Sequence, residues 1–186
     1  MKIARRSRIL GLSLALVAVG ASAVQAQGKV ELGTSLVSAT VILDNNGGDN
    51  MTVIGVPSGG VFSLFNPSVY VSVFVHPHIA IEPQIGLVFL TSGGESEHVL
   101  NAAVQFDYFI KNTSVRSPYV FVTGGLLDSG DDYTPKTVGG GAGFRIPVGD
   151  RLVFRVDGRY THYTSDFGDG VNTVAFTVSI GGLFGR

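Results

Sequence analysis

The chain has 186 residues, 26 of them glycine, with no cysteine, 15% charged residues and a formal net charge of −1. That length suits one domain rather than two, and a chain without cysteine has neither a disulfide framework nor an attachment point for a lipoprotein anchor. The charge balance argues against a nucleic-acid partner, because meeting phosphate takes clustered Lys and Arg.

The first segment reads as a secretory signal peptide. Lys2, Arg5, Arg6 and Arg8 precede an apolar run from Ile9 to Gly20, and Val24-Gln25-Ala26 supplies a small-residue cleavage pattern. Cleavage is expected after Ala26, with Ala23 as the alternative. A retained anchor is the competing reading, but the apolar run is short for a span. The domain expectation is therefore a signal peptide at 1–26 and one β-barrel domain at 27–186. Four of the thirteen basic residues leave with the signal, so nine remain against fourteen acids, a formal charge of −5. No later run of about 18 apolar residues offers a membrane helix.

From there, period-2 alternation predicts strands at 29–43, 66–75, 78–91, 97–110, 116–127, 136–147, 151–164 and 173–184. Val, Thr, Phe and Tyr suit a pleated surface. Most of these strands exceed the usual five or six residues and match a tilted membrane strand with an overhang. Short turns are expected at His76-Pro77-His78, at Lys111 to Val115 and at Val148-Gly149-Asp150. Longer polar loops are expected at 44–65, 92–96, 128–135 and 165–172. Within 44–65, Met51 to Val56 alternates, as an extra strand or an extension of the first hairpin. Connections that alternate in length are the outer-membrane pattern, and an even strand count puts both termini on the periplasmic side.

The faces separate cleanly. Leu152, Phe154, Val156 and Tyr160 alternate with Arg151, Arg155, Asp157 and Arg159; Leu100 to Ile110 alternate with Asn101, Gln105 and Asp107. A soluble sandwich buries the apolar face, whereas a membrane barrel turns it toward lipid. Signal peptide, strand length and connections together select an all-β, closed antiparallel up-and-down transmembrane barrel of eight strands. A soluble periplasmic barrel with the apolar face inside, binding an apolar ligand, is the alternative.

Leu32-Gly33-Thr34-Ser35-Leu36, Val138 to Val148, Arg151 to Tyr160 and the closing Phe176 to Phe184 resemble the small outer-membrane barrel proteins of the OmpA/OmpX type. The resemblance covers residues 28–186 and implies fold and compartment: the cell outer membrane, with membrane lipid, lipopolysaccharide and the barrel-insertion machinery as partners. It implies no activity. Such barrels commonly end on an aromatic residue, whereas here Phe184 is followed by Gly185 and Arg186. With no Trp, an aromatic girdle falls to Tyr108, Phe144, Phe154, Tyr160, Phe176 and Phe184.

Four acids, Glu31, Glu82, Asp107 and Asp157, are expected to face Arg145, Arg155 and Arg159 in the lumen. The reading is a structural ion-pair network, since unpaired buried charge is expensive and eight strands leave room for side chains rather than a channel. An ion path would favour one sign of charge, and this set mixes both. Asp44, Asp49, Glu95, Glu97, Asp128, Asp131, Asp132, Asp166 and Asp169 put nine acids on the expected outer side, a solvated rim or a site bridged by divalent cations to lipopolysaccharide. His76 and His78 read as a polar turn rather than a metal pair. His162, Ser165 and Asp166 contain the residue types of a hydrolase triad, and a lipid-modifying enzyme is the runner-up, though sequence shows no positioned base. No catalytic, cofactor-binding or metal residue is assigned, and none of the oligomeric states is favoured.

Overall fold

The computed structural model describes residues 29–43, 51–55, 69–92, 95–112, 115–128, 134–165 and 168–185. The segment expected to be a signal peptide lies outside them, as do Asp44, Asp49, Asp131, Asp132 and Asp166 of the expected rim. The described elements are nine strand segments: β1 (Val30–Leu43), β2 (Met51–Gly55), β3 (Val69–His76), β4 (Ile79–Ser92), β5 (Glu95–Phe109), β6 (Ser117–Asp128), β7 (Lys136–Val148), β8 (Leu152–Ser165) and β9 (Gly168–Phe184). From β3 to β9 consecutive strands pair antiparallel, β1 pairs antiparallel with β2 and with β3, and β9 returns to β1 in an unbroken run from Val30↔Phe184 to Leu43↔Asn172 apart from one shift between Ser35 and Val37. The sheet thus closes into a barrel.

Nine segments make eight staves because β2 and β3 share one edge of β1. Val30–Thr34 pair with β3, and Ser38–Ile42 pair with β2. The alternating run Met51–Gly55 is therefore an extension of the first hairpin rather than a ninth stave. Between the two partners β1 carries a bulge at Leu36: Leu36 and Val37 both face outward, and Ser38 is buried again. One extra residue re-phases the strand, as bulges do.

Two expected loops are corrected. The described residues of the expected loops 92–96 and 165–172, namely 92, 95–96, 165 and 168–172, lie in strands, because the ladders continue to Ser92↔Glu95 and Ser165↔Gly168. Backbone pairing does not require apolar alternation, so it runs past the point where the pattern fades. Glu95, Glu97 and Asp169 consequently belong to strands.

The wall is apolar outside and polar inside. Leu32, Phe106, Val122, Phe144, Val156 and Phe176 face outward, with Phe176 64% exposed. Ser72, Gln84, Asn101, Gln105, Thr161, Thr173 and Ser179 are buried. This is the inside-out arrangement of a membrane-spanning barrel, and it places the Val and Phe faces opposite to where an apolar-ligand barrel needs them. The end carrying the His76–Ile79 turn and both described chain ends is closed by Phe74, Ala80, Phe109, Tyr119 and Phe121, with Leu183 packed against them. Phe109 and Tyr119 have ring centroids 5.3 Å apart in a tilted pair, a favourable aromatic geometry.

Large inward rings fit because glycines face them across the sheet. Tyr70 pairs with Gly33, Tyr119 with Gly143 and Phe121 with Gly141. A Cβ on Gly33 would lie within the Tyr70 ring, and one on Gly141 or Gly143 would press on Phe121 or Tyr119. Cross-strand aromatics over glycine are a known way to fix register.

The outer wall supplies a direct test. Val122, 62% exposed near the middle of β6, tolerates no charge if lipid covers it. Val122→Arg is expected to destabilise the barrel in lipid vesicles by about 2–4 kcal/mol, read from urea unfolding. A cost below about 1 kcal/mol, the range of an ordinary surface change, would argue against lipid contact there.

Candidate functional site: the barrel lumen

The lumen is organised around Arg155 on β8, a side chain 2% exposed. Its Nε lies 2.7 Å from Glu31 Oε1 of β1, and its Nη1 lies 2.6 Å from Glu82 Oε2 of β4. The same Nη1 is 3.6 Å from Asp107 Oδ2 of β5, and Nη2 donates to Ser72 Oγ of β3 at 2.8 Å. Its guanidinium carbon sits 4.7 Å from the Tyr70 ring centroid and 5.8 Å from that of Tyr119, within cation–π range.

Register explains why an acid must stand beside it. Arg145 of β7 lies directly opposite Arg155 in the β7–β8 ladder, and like charges facing each other are destabilising. Glu31 resolves the conflict by bridging both: Arg145 Nε donates to Glu31 Oε2 at 3.0 Å while Oε1 meets Arg155. Tyr70 adds a hydroxyl donated to Glu31 Oε1 at 3.0 Å. Glu82 is likewise held, accepting from the Ser72 hydroxyl and from Gln84 Nε2.

A second layer lies further from the chain ends. Arg159 Nη2 donates to Gln105 Oε1 at 2.9 Å and Nη1 to Gln84 Oε1 at 3.4 Å. Gln105 passes its amide on to Asp107 Oδ1 at 2.7 Å. Asp157 stands 3.8 Å from Arg159 Nη2 and accepts from the Tyr119 hydroxyl at 3.5 Å. The structure thus brings Glu31, Glu82, Asp107, Arg145, Arg155, Asp157 and Arg159 into one connected network. The sequence shows these charges, and Gln84 and Gln105 on the same faces as Glu82 and Asp107, but not the other groups that hold them: Tyr70, Ser72 and Tyr119.

The space left is small. The cavity lined by Tyr70, Glu82, Gln105, Arg155, Asp157 and Arg159 has a volume of about 20 Å³, enough for one water molecule. Asp157 Oδ1, Arg159 Nε and Thr177 Oγ1 are buried without a hydrogen-bond partner in the protein, and their residues line that cavity, so they suit such a water.

The remaining candidates are separate. His162 Nδ1 lies 2.8 Å from Asn172 Oδ1, which also accepts from the Tyr160 hydroxyl at 2.7 Å. The described partner of His162 is thus an amide; the Ser165 side chain and Asp166 fall outside the described residues. At the other end the His78 amide donates to His76 Nδ1 at 3.2 Å, and His78 Nδ1 lies 2.8 Å from the Phe109 carbonyl oxygen. These bonds define a turn. Among the described residues no three His, Cys, Asp or Glu side chains are grouped to hold a metal ion.

No protein-family model and no curated protein matches the sequence. Solved structures do. Neisserial surface protein A is similar at 9% identity, with a TM-score of 0.53 over 83% of this chain and 95% of that one. Ail, the attachment invasion locus protein of Yersinia pestis, aligns at 11% identity and a TM-score of 0.49, over 84% of this chain and 99% of its own. The outer membrane protein OprG of Pseudomonas aeruginosa aligns at 12% and 0.47, over 86% and 97%. The likeness to the Neisserial protein establishes a shared fold, that of the small eight-stranded outer-membrane barrels.

Arg155 is the residue on which to test the network. Arg155→Met strands Glu31 and Glu82 without their shared cation, and removing one partner of a buried pair costs about 3–5 kcal/mol. Urea unfolding of the refolded barrel in micelles is expected to show that loss. A change under about 1 kcal/mol would mean that water reaches these charges.

Proposed function

We propose that this chain is an integral outer-membrane barrel with a structural or surface-interaction role, exported by the signal peptide at 1–26, its lumen closed by the ion-pair network. The observation that carries the reading is the Arg155 cluster: an arginine 2% exposed, in ion pairs with acids of β1, β4 and β5, beside a cavity of about 20 Å³. The space beside that cluster suits about one water molecule rather than a wide path, and the mixture of signs among the described residues does not make a selectivity ring. The chain is read as non-enzymatic, with no cofactor. Its partners are outer-membrane phospholipid and lipopolysaccharide along the wall and, during biogenesis, the barrel-insertion machinery.

Two measurements test this. Outer membranes from expressing cells, run on a gel in mild detergent with and without boiling, are expected to show a heat-dependent shift of this protein; recovery in the soluble periplasm without a shift would overturn the location. In a planar bilayer the purified barrel is expected to give no stable conductance steps, and persistent ohmic steps would sink the plug.

A further inference from the structure

The end of the barrel that carries both described chain ends opens into a pocket of about 230 Å³, far larger than the space in the lumen above it. Its lining divides by chemistry. Lys29 and Arg145 supply cations and Asp150 an acid, while Phe74, Leu183 and Phe184 supply apolar surface. We propose that this mouth seats the headgroup of a glycerophospholipid carrying both a phosphate and an ammonium, as phosphatidylethanolamine does. The proposal rests on the membrane-spanning reading above.

The cationic floor is built rather than incidental. Arg145 is 1% exposed, its Nε is held on Glu31 at 3.0 Å, and its guanidinium carbon lies 5.3 Å from the Phe74 ring centroid. A fixed planar guanidinium is well suited to phosphate oxygens. Lys29 is placed by the backbone, its carbonyl accepting from the Phe74 amide at 3.3 Å. Asp150 stands on the tight turn after β7, where Gly149 adopts φ +65°. A Cβ there would touch nothing, so glycine is needed for the left-handed backbone that sets the turn.

The apolar side gives the ligand its second half. Leu183 packs on the aromatic cluster inside the barrel, while the next residue, Phe184, faces outward, two residues along β9 from Gly182, the register partner of the exposed Leu152. The lip of the pocket is therefore continuous with the apolar outer wall. An occupant polar at one end and apolar at the other would leave over Phe184 into the bilayer. The volume is more than ten times that of the lumen cavity, a space that suits a headgroup rather than acyl chains. With two cations and one acid in the lining, a zwitterionic head matches better than a purely anionic one, and Asp150 is the partner for its ammonium.

The test uses the full mature chain, refolded in nonionic detergent micelles and followed by native mass spectrometry with short-chain lipids. One phosphatidylethanolamine molecule is expected to be retained, about fivefold more tightly than phosphatidylglycerol or phosphatidylcholine, the scale of a partly exposed ion pair. Asp150→Asn is expected to erase the preference for ethanolamine over glycerol, and Lys29→Ala to weaken both lipids alike. Both positions are exposed, so neither variant threatens the fold. Saturable binding of inorganic phosphate as tight as that of the lipid would make this a site for the free anion and overturn the proposal. So would absence of saturable lipid binding, or a preference that survives Asp150→Asn. Heated and unheated samples of the same preparations separate the two failures. A barrel that needs detergent and shifts on heating, yet shows no selectivity, defeats only the headgroup proposal; a chain soluble without detergent defeats the membrane reading.

Discussion

A backbone that faces lipid has no water to satisfy its amides and carbonyls, so a sheet can cross a membrane only if it has no edge. The β1–β9 ladder is where this chain meets that constraint. It runs nearly the full length of β1, from Val30 to Leu43, and pairs the first described strand with the last. Once the sheet is closed, period-2 alternation assigns each side chain to one of two environments, lipid or lumen. The apolar outer wall and the polar interior both follow from that closure.

Closure also concentrates charge. Residues brought inward from β1, β4, β5, β7 and β8 arrive within a few ångströms of one another whether or not their charges agree. Arg145 facing Arg155 is the sharpest case, and Glu31 between them turns a repulsion into a three-member bridge. The glycines of β7 are part of the same solution. Gly141 and Gly143 yield their inward volume to Phe121 and Tyr119, and Tyr119 in turn stands against Arg155 and Asp157. Charge pairing and ring packing are thus one filled volume.

Strands and faces were readable because a half-buried strand writes its environment every second residue, as in Leu152 to Tyr160. The extent of pairing was not, since Ser92↔Glu95 and Ser165↔Gly168 depend on backbone bonds that leave no mark in polarity. The inward aromatics were missed for a different reason. Val73-Phe74, Tyr108-Phe109 and Val120-Phe121 place apolar residues on both faces, which blurs alternation at the end where the lumen is closed. A usable signal existed in the glycines opposite them, Gly33, Gly141 and Gly143, but only once register was known. The inward charges were visible in the sequence as residue types; their pairing depends on distances between strands far apart in the chain.

The shared edge of β1 has an implication for how such a wall is divided. Because β3 covers one stretch of β1 and β2 another, with the Leu36 bulge between them, this stave is spliced rather than continuous. The half near the chain ends, with the aromatic seal and the arginine bridge, closes without any residue of β2. The pairing of Val30–Thr34 with β3 therefore does not depend on the length of the β2 segment. In this barrel, the edge that β2 supplies is separate from the one that stands beside the arginine bridge and the aromatic cluster.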